Sequence, residues 1–242
     1  MKRLFDVVAS GIGLIAASPV LVPMIVLVWL QDRKSPFYVA ARVGKNERPF
    51  RMVKLRSMVV NADSSGVDST SADDRRITPI GRVIRRMKLD ELTQLWNVLL
   101  GDMSMVGPRP NVKRETDLYT PLERTLLSVK PGITDFASIV FSDEGDILQG
   151  EVDPDVAYNQ LIRPGKSRLG LFYLEKRSAW IDLQLCCLTA VSIFSRRRAL
   201  RMVHKLLNRL RAPADLMGMA LRRSPLEPAS PPGTDKIVTS RH

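Results

Sequence analysis

From residue 7 to residue 30 the chain carries no charged side chain. As a straight helix this stretch is roughly 36 Å long, enough to cross a bilayer core. Ser18-Pro19 falls near its middle, and Pro23 follows one turn later. Proline removes a backbone donor and crowds the preceding turn, so a kink or break is expected at Ser18 and Pro19. Each half is then too short to span alone. Lys2 and Arg3 precede the stretch, and Arg33 and Lys34 follow it. Cations on both sides give no crossing direction. A hairpin that enters and leaves by one face meets both observations; a bent single pass is its competitor. A cleaved signal peptide fits poorly, because the run is too long and cleavage near Ala17-Ser18 would put Pro19 at the new terminus.

The rest of the chain is long enough to fold around a core of its own. It has 242 residues, 45% of them apolar. A net charge of +12 fits nucleic acid, an anionic lipid surface or a phosphorylated substrate. No nucleic-acid motif is visible. Cys186 and Cys187 are adjacent and without metal-ligand spacing, which points to a reducing compartment. His204 and His242 stand apart from other ligand types, which argues against a histidine-based metal or acid/base site.

Pro36-Phe37-Tyr38-Val39 looks strand-like and Arg42-Val43-Gly44-Lys45-Asn46 looks like a turn. Residues 50–58 alternate apolar and basic, as a half-buried strand would. Residues 61–76 read as a mobile loop. Thr78-Pro79 is a helix start, with Ile80, Val83, Ile84 and Met87 as an apolar stripe. A second helix carries Leu89, Leu92, Leu95, Trp96 and Leu99 inward and Asp90, Gln94 and Asn97 on the opposite face, with Gly101 as its stop. Residues 101–112 should be a structured loop, Pro131-Gly132-Ile133-Thr134 a turn, and Ser138-Ile139-Val140-Phe141 a short strand. Residues 154–195 look mostly helical. Residues 194–211 form a basic amphipathic helix, suited to an anionic membrane face or to packing with a solvated basic side. From Ala212 the composition reads as a disordered tail.

Asp90 and Glu91 are adjacent carboxylates in a basic neighbourhood. Alone, such a pair is most often a solvated helix face. Here Arg85, Arg86 and Lys88 precede it, Arg109 follows, and Lys54 and Arg56 lie on a strand that could approach. Such cations can hold phosphate oxygens, and arginine does so bidentately. Adjacent carboxylates beside phosphate suit Mg²⁺, and a carboxylate can attack phosphorus to give an acyl phosphate. A break near Lys88 would place the pair at a helix N-terminus, where free N–H groups favour phosphate.

With these pieces in order the chain resembles the bacterial sugar transferases, the monotopic phosphoglycosyl transferases, over roughly residues 1–195. The pieces that carry the resemblance include Lys2-Arg3-Leu4-Phe5-Asp6, Ser18-Pro19, Lys54-Leu55-Arg56-Ser57-Met58, Leu89-Asp90-Glu91-Leu92 and Gln94-Leu95-Trp96-Asn97-Val98-Leu99. Arg42-Val43-Gly44, Gly81-Arg82-Val83-Ile84-Arg85, Gly101-Asp102-Met103-Ser104-Met105-Val106-Gly107-Pro108-Arg109-Pro110 and Pro131-Gly132-Ile133-Thr134 complete them. The resemblance implies an α+β, mostly helical fold. It would have a re-entrant membrane hairpin over residues 1–31 broken at Ser18-Pro19, and a cytoplasmic catalytic domain over 32–195 with short strands and interfacial amphipathic helices. A basic helix over 196–211 and a tail over 212–242 would follow.

The implied reaction moves a sugar-1-phosphate from a UDP-sugar to polyprenyl (undecaprenyl) phosphate and releases UMP. It would be the first membrane step of surface polysaccharide or glycoconjugate assembly, on the cytoplasmic face of the bacterial inner membrane. Asp90 is implied as the nucleophile that carries a covalent phosphosugar, Glu91 as its partner, and both as Mg²⁺ ligands. Arg85 and Arg109, with Lys54 a weaker correspondence, are implied as phosphate contacts. Membrane lipids are implied partners, nucleic acid is not, and a homo-oligomer is left open. A membrane-anchored basic scaffold and an inactive member of the family are the competing readings.

Two departures stand out. Thr93 occupies a position that is proline in many members. Asp135-Phe136-Ala137-Ser138-Ile139-Val140-Phe141 replaces the usual pattern after Thr134, and lacks an arginine that some members place there. With one apolar segment rather than five, the chain resembles the family's short form.

Overall fold

The structure is a computed structural model and describes residues 2–62, 69–71 and 73–240. Among the described residues the fold is mostly helical with two small sheets. Helix α1, Lys2–Asp32, runs as one element through both prolines. Pro19 cannot donate to the Ile15 carbonyl, and the Ser18 hydroxyl donates to that oxygen instead, at 2.8 Å. The helix is thus not ended at the expected kink or break, and the carbonyl freed there is satisfied locally.

Both ends of α1 are held by one domain. The Lys2 ammonium pairs with buried Asp182 at 2.6 Å and reaches the Val106 carbonyl at 3.0 Å. At the other end Arg56 grips Asp32 at 2.5 and 2.6 Å. Between them Leu21 and Val28 are buried against Leu55, Ile84 and Leu89, while Ile12, Ile15, Val22 and Leu27 remain exposed.

After α1, β1 (Phe37–Val43) pairs antiparallel with β2 (Pro49–Leu55), with Phe37 opposite Leu55 and Val43 opposite Pro49. Arg42 and Val43 thus belong to the strand rather than to the turn. The connection uses Asn46 at φ 55°, a left-handed conformation that asparagine tolerates. The strand expected over 50–58 ends at Leu55, and Met58 makes only an isolated bridge to Ile77. Part of the 61–76 loop, residues 63–68 and 72, lies outside the described residues.

Helix α2 (Pro79–Arg86) starts as the sequence indicates, with the Thr78 hydroxyl accepting from Gly81 N at 2.9 Å. A Cβ on Gly81 would fall 1.8 Å from the Ser57 carbonyl oxygen, so only glycine lets α2 meet this segment. Half of the α2 stripe is buried: Ile84 is enclosed and Ile80 packs beside it, while Val83 and Met87 are exposed. Lys88 at φ 56° ends the helix, and the single turn α3 (Leu89–Leu92) and then α4 (Gln94–Leu100) follow.

The face of α4 read as outward is buried. Gln94 and Asn97 are enclosed, whereas Trp96 is half exposed. The cause is β2: Asn97 Oδ1 accepts from Val53 N at 2.9 Å, and its amide donates to the Arg51 carbonyl at 2.7 Å. Asn97 thus closes part of a strand edge that would otherwise lack partners.

Strand β3 (Ser104–Val106) pairs parallel with β4 (Gly132–Thr134), so the expected turn at 131–134 is a strand. Short helices α5 (Lys113–Asp117) and α6 (Pro121–Arg124) lie between them. Residues 136–140 form helix α7 (Phe136–Val140) instead of a strand. The Asp135 carboxylate caps it by accepting from Ser138 N at 2.6 Å, and the apolar run is buried all round, which overrides β propensity. Helices α8 (Glu144–Ile147), α9 (Pro154–Ala157), α10 (Arg163–Lys176), α11 (Ala179–Phe194) and α12 (Arg196–Arg209) follow.

α12 packs by Leu200, Val203 and Leu207 into the largest core cluster and leaves Arg197, Arg198 and Arg201 exposed. The region read as a disordered tail contains helix α13 (Ala214–Leu221), with Leu216 and Ala220 in that same core. Beyond it Ala229 N donates to the Gln160 carbonyl at 3.0 Å, and Gln160 donates to the Val238 carbonyl at 2.6 Å. Composition is a poor guide here because a few apolar anchors suffice once a core is there to receive them.

Candidate active site

The break at Lys88 brings Asp90 and Glu91 into the first turn of α3. That helix is one turn long and Glu91 N already donates to the Lys88 carbonyl at 3.2 Å, so its dipole offers little to an anion. Charge comes from side chains instead. Lys54 on β2, Arg85 on α2, Asp90, Glu91, and Arg109 after β3 all line one cleft of about 280 Å³. The five proposed site residues are therefore together, while Ser18 and Pro19 lie apart on α1.

The cleft's walls depend on two close approaches. A Cβ on Gly132 would fall 2.1 Å from Gly107 N, so glycine there lets β4 lie against the segment that delivers Arg109. The Thr93 hydroxyl lies 3.0 Å from the Val53 carbonyl and 3.1 Å from the Asp90 carbonyl. Thr93 thus ties the acidic turn to β2.

The two acids differ in state. Arg109 donates to Glu91 Oε1 at 2.7 Å. Burial pushes the Glu91 carboxyl up, but the Arg109 guanidinium and Lys88 outweigh it and hold it down at about 2. Glu91 in turn raises the pKa of Arg109. The Asp90 carboxylate makes no hydrogen bond or ion pair among the described residues. Burial, and then the neighbouring Glu91 charge, raise its pKa. A more basic, unpaired carboxylate is the better nucleophile of the two. Burial, and then Arg109, lower the Lys54 ammonium to about 8.

Among the described residues no group of three His, Cys, Asp or Glu side chains could hold a metal. Mg²⁺ asks for less: one or two carboxylates, with water and phosphate oxygens completing the shell. Asp90 fits that demand, and Glu91 fits it less well while committed to Arg109.

Sequence reasoning missed Glu144, which lines the same cleft and pairs with Lys166. Burial pushes its pKa up, but Lys166 outweighs this and the net shift is downward. No motif marks Glu144; the only signal was the departure from the family pattern just before it. Neutral polar groups of the cleft, among them Asn111, Ser138 and Thr189, were also missed.

Residues 1–196 match the bacterial sugar transferase family. The sugar transferase EpsL of Bacillus subtilis, itself named as uncharacterized, is 35% identical over 189 residues, covering 78% of this chain and 85% of that protein. The undecaprenyl-phosphate glucose phosphotransferase of Komagataeibacter xylinus is 37% identical over 203 residues, 81% of this chain and 36% of its own length. The UDP-N-acetylgalactosamine-undecaprenyl-phosphate N-acetylgalactosaminephosphotransferase of Aeromonas hydrophila is 30% identical over 200 residues, 81% and 44%. The chain spans less than half the length of the last two.

Proposed function

The chain belongs to the bacterial sugar transferase family, and we propose that it transfers a sugar-1-phosphate from a UDP-sugar to polyprenyl (undecaprenyl) phosphate. An Asp90 carboxylate oxygen attacks the sugar-bearing phosphorus. The bond to the bridging oxygen breaks, and UMP leaves with that electron pair. An oxygen of the acceptor phosphate then attacks the same phosphorus, the Asp90–phosphorus bond breaks, and polyprenyl diphosphate-sugar and free Asp90 result. Such transfer depends mainly on positioning and charge stabilisation. Arg85, Lys54 and Arg109 hold phosphate oxygens, and Arg109 also keeps Glu91 ionised beside the nucleophile. Mg²⁺ bound with the diphosphate would be held by Asp90, with Glu91 adjacent, and would supply charge neutralisation there.

The observation that carries this reading is the unpaired Asp90 carboxylate in a cleft with Lys54, Arg85 and the Glu91–Arg109 pair. The ties from both ends of α1 to one domain support a helix that enters and leaves the membrane by the cytoplasmic face. The reading is tested by offering the purified chain a panel of UDP-sugars with Mg²⁺ and polyprenyl phosphate. UMP release with at least one donor is expected, and none with any donor contradicts it.

A further inference from the structure

A second cavity, about 710 Å³, meets the first at Asp90. The two share Arg42, Lys54, Thr70, Arg85, Asp90 and Val112, and otherwise have different walls. The first is mixed in charge, with Glu91 and Glu144 among its cations. Among its described lining residues the second has seven Lys or Arg side chains, Arg56 and Arg76 paired to carboxylates outside it, Arg114 also engaged, and Asp90 as the sole carboxylate. Phe37, Val39, Val59 and Val60 line it, are 39–51% exposed, and take no part in the first cavity. Lys34 and Ser35, which also line it, lie one residue beyond α1, whose last turns expose Leu27, Trp29 and Leu30.

Resting on the function proposed above, we infer that this second cavity is the path of the acceptor lipid. Its phosphate would sit at the shared cations and its hydrocarbon chain would run out between Phe37–Val39 and Val59–Val60. The chemistry constrains the phosphate. In-line displacement places the leaving UMP opposite Asp90, and the attacking acceptor must come in on that same side. Both phosphates therefore use the shared locus in turn, after UMP has left. What differs is where the rest of each molecule goes. A nucleoside and sugar need hydrogen-bonding groups, which the first cavity supplies. An anionic amphiphile needs cations inside and an apolar mouth beside the membrane segment, which the second supplies.

The test uses the full chain in detergent micelles with a polyprenyl phosphate carrying a photoreactive group in its hydrocarbon chain. Cross-links mapped by mass spectrometry should fall on residues 37–41 and 57–62, and a polyprenol lacking the phosphate should label these at least tenfold less. Cross-links on residues 141–145 or 189–193 would overturn the inference, as would equal labelling by the polyprenol. In a second arm, the variant V39D/V60D should release UMP in the donor half-reaction at the native rate, while its KM for polyprenyl phosphate rises about tenfold or more. A slowed donor half-reaction with an unchanged acceptor KM would assign the cavity to the donor. The cross-link map needs no turnover, so it decides the lipid path even if the native chain releases no UMP and the underlying reading fails.

Discussion

Arg109 reaches Glu91 at 2.7 Å, and this ion pair gives two adjacent acids opposite roles. It fixes Glu91 as a permanent anion and leaves Asp90 as the unpaired one. Removing the guanidinium in Arg109→Ala should therefore harm both phosphate binding and the state of the dyad. We expect kcat/KM to fall about 10²–10³-fold, the range for loss of one charge-stabilising donor. Arg109→Lys should recover only part, because an ammonium cannot form the planar fork. A loss below about threefold for Arg109→Ala, measured as UMP release, would remove it from the site.

Lys54 gives the reaction a pH signature. With its pKa lowered to about 8, the ammonium is charged below that pH and neutral above it. Its phosphate contact is thus present at neutral pH and lost as pH rises through about 8. Donor kcat/KM, which reports the free enzyme, should decline over that interval. Lys54→Arg should remove the decline, since arginine stays charged throughout. An unchanged pH profile in Lys54→Arg would show that another group titrates.

Away from the cleft, Arg163 and Glu123 form an enclosed ion pair at 2.5 Å, with Arg163 also donating to Asn159 and the Leu118 carbonyl. Glu123 accepts from Thr120 N as well, closing a capping box for α6. Glu123→Gln leaves a buried guanidinium without its counter-charge. The expected cost is about 3–5 kcal/mol of stability, read from denaturant midpoints. A change below about 1 kcal/mol would mean that water reaches Arg163.

The topology of α1 is open to direct labelling. If both ends stay with the domain, cysteines placed at Lys2 and Lys34 should both be shielded from a membrane-impermeant thiol reagent added to intact cells, in a background lacking Cys186 and Cys187. Labelling of one end and not the other would establish a single crossing instead.

The local chemistry of the chain was readable in its sequence, and contacts between distant elements were not. Thr78-Pro79 marks the start of α2 because a cap acts within three residues. Whether the chain breaks at Lys88 could not be read from periodicity, and the left-handed Lys88 backbone settles it. Asn97 shares the helical period of a solvent face, and only the arrival of β2 makes it a buried bridge. Asp135 could have been recognised as a cap for Ser138, but the β-branched run after it argues the other way until the core encloses it. α13 has few apolar residues and depends on the surface that α12 offers. Within the site, Asp90, Glu91, Arg85, Arg109 and Lys54 were legible as clustered charge. Glu144 was not, because its partner Lys166 is distant in sequence.

The measurement closest to the central claim is the intact mass of the chain after incubation with its UDP-sugar donor and Mg²⁺, with no acceptor. A mass increase of one sugar-phosphate, mapped to Asp90 and absent in Asp90→Asn, is predicted. Addition of polyprenyl phosphate should discharge it. Turnover by Asp90→Asn at the native rate, or an adduct mapped to any other residue, would contradict the assignment of Asp90 as the nucleophile.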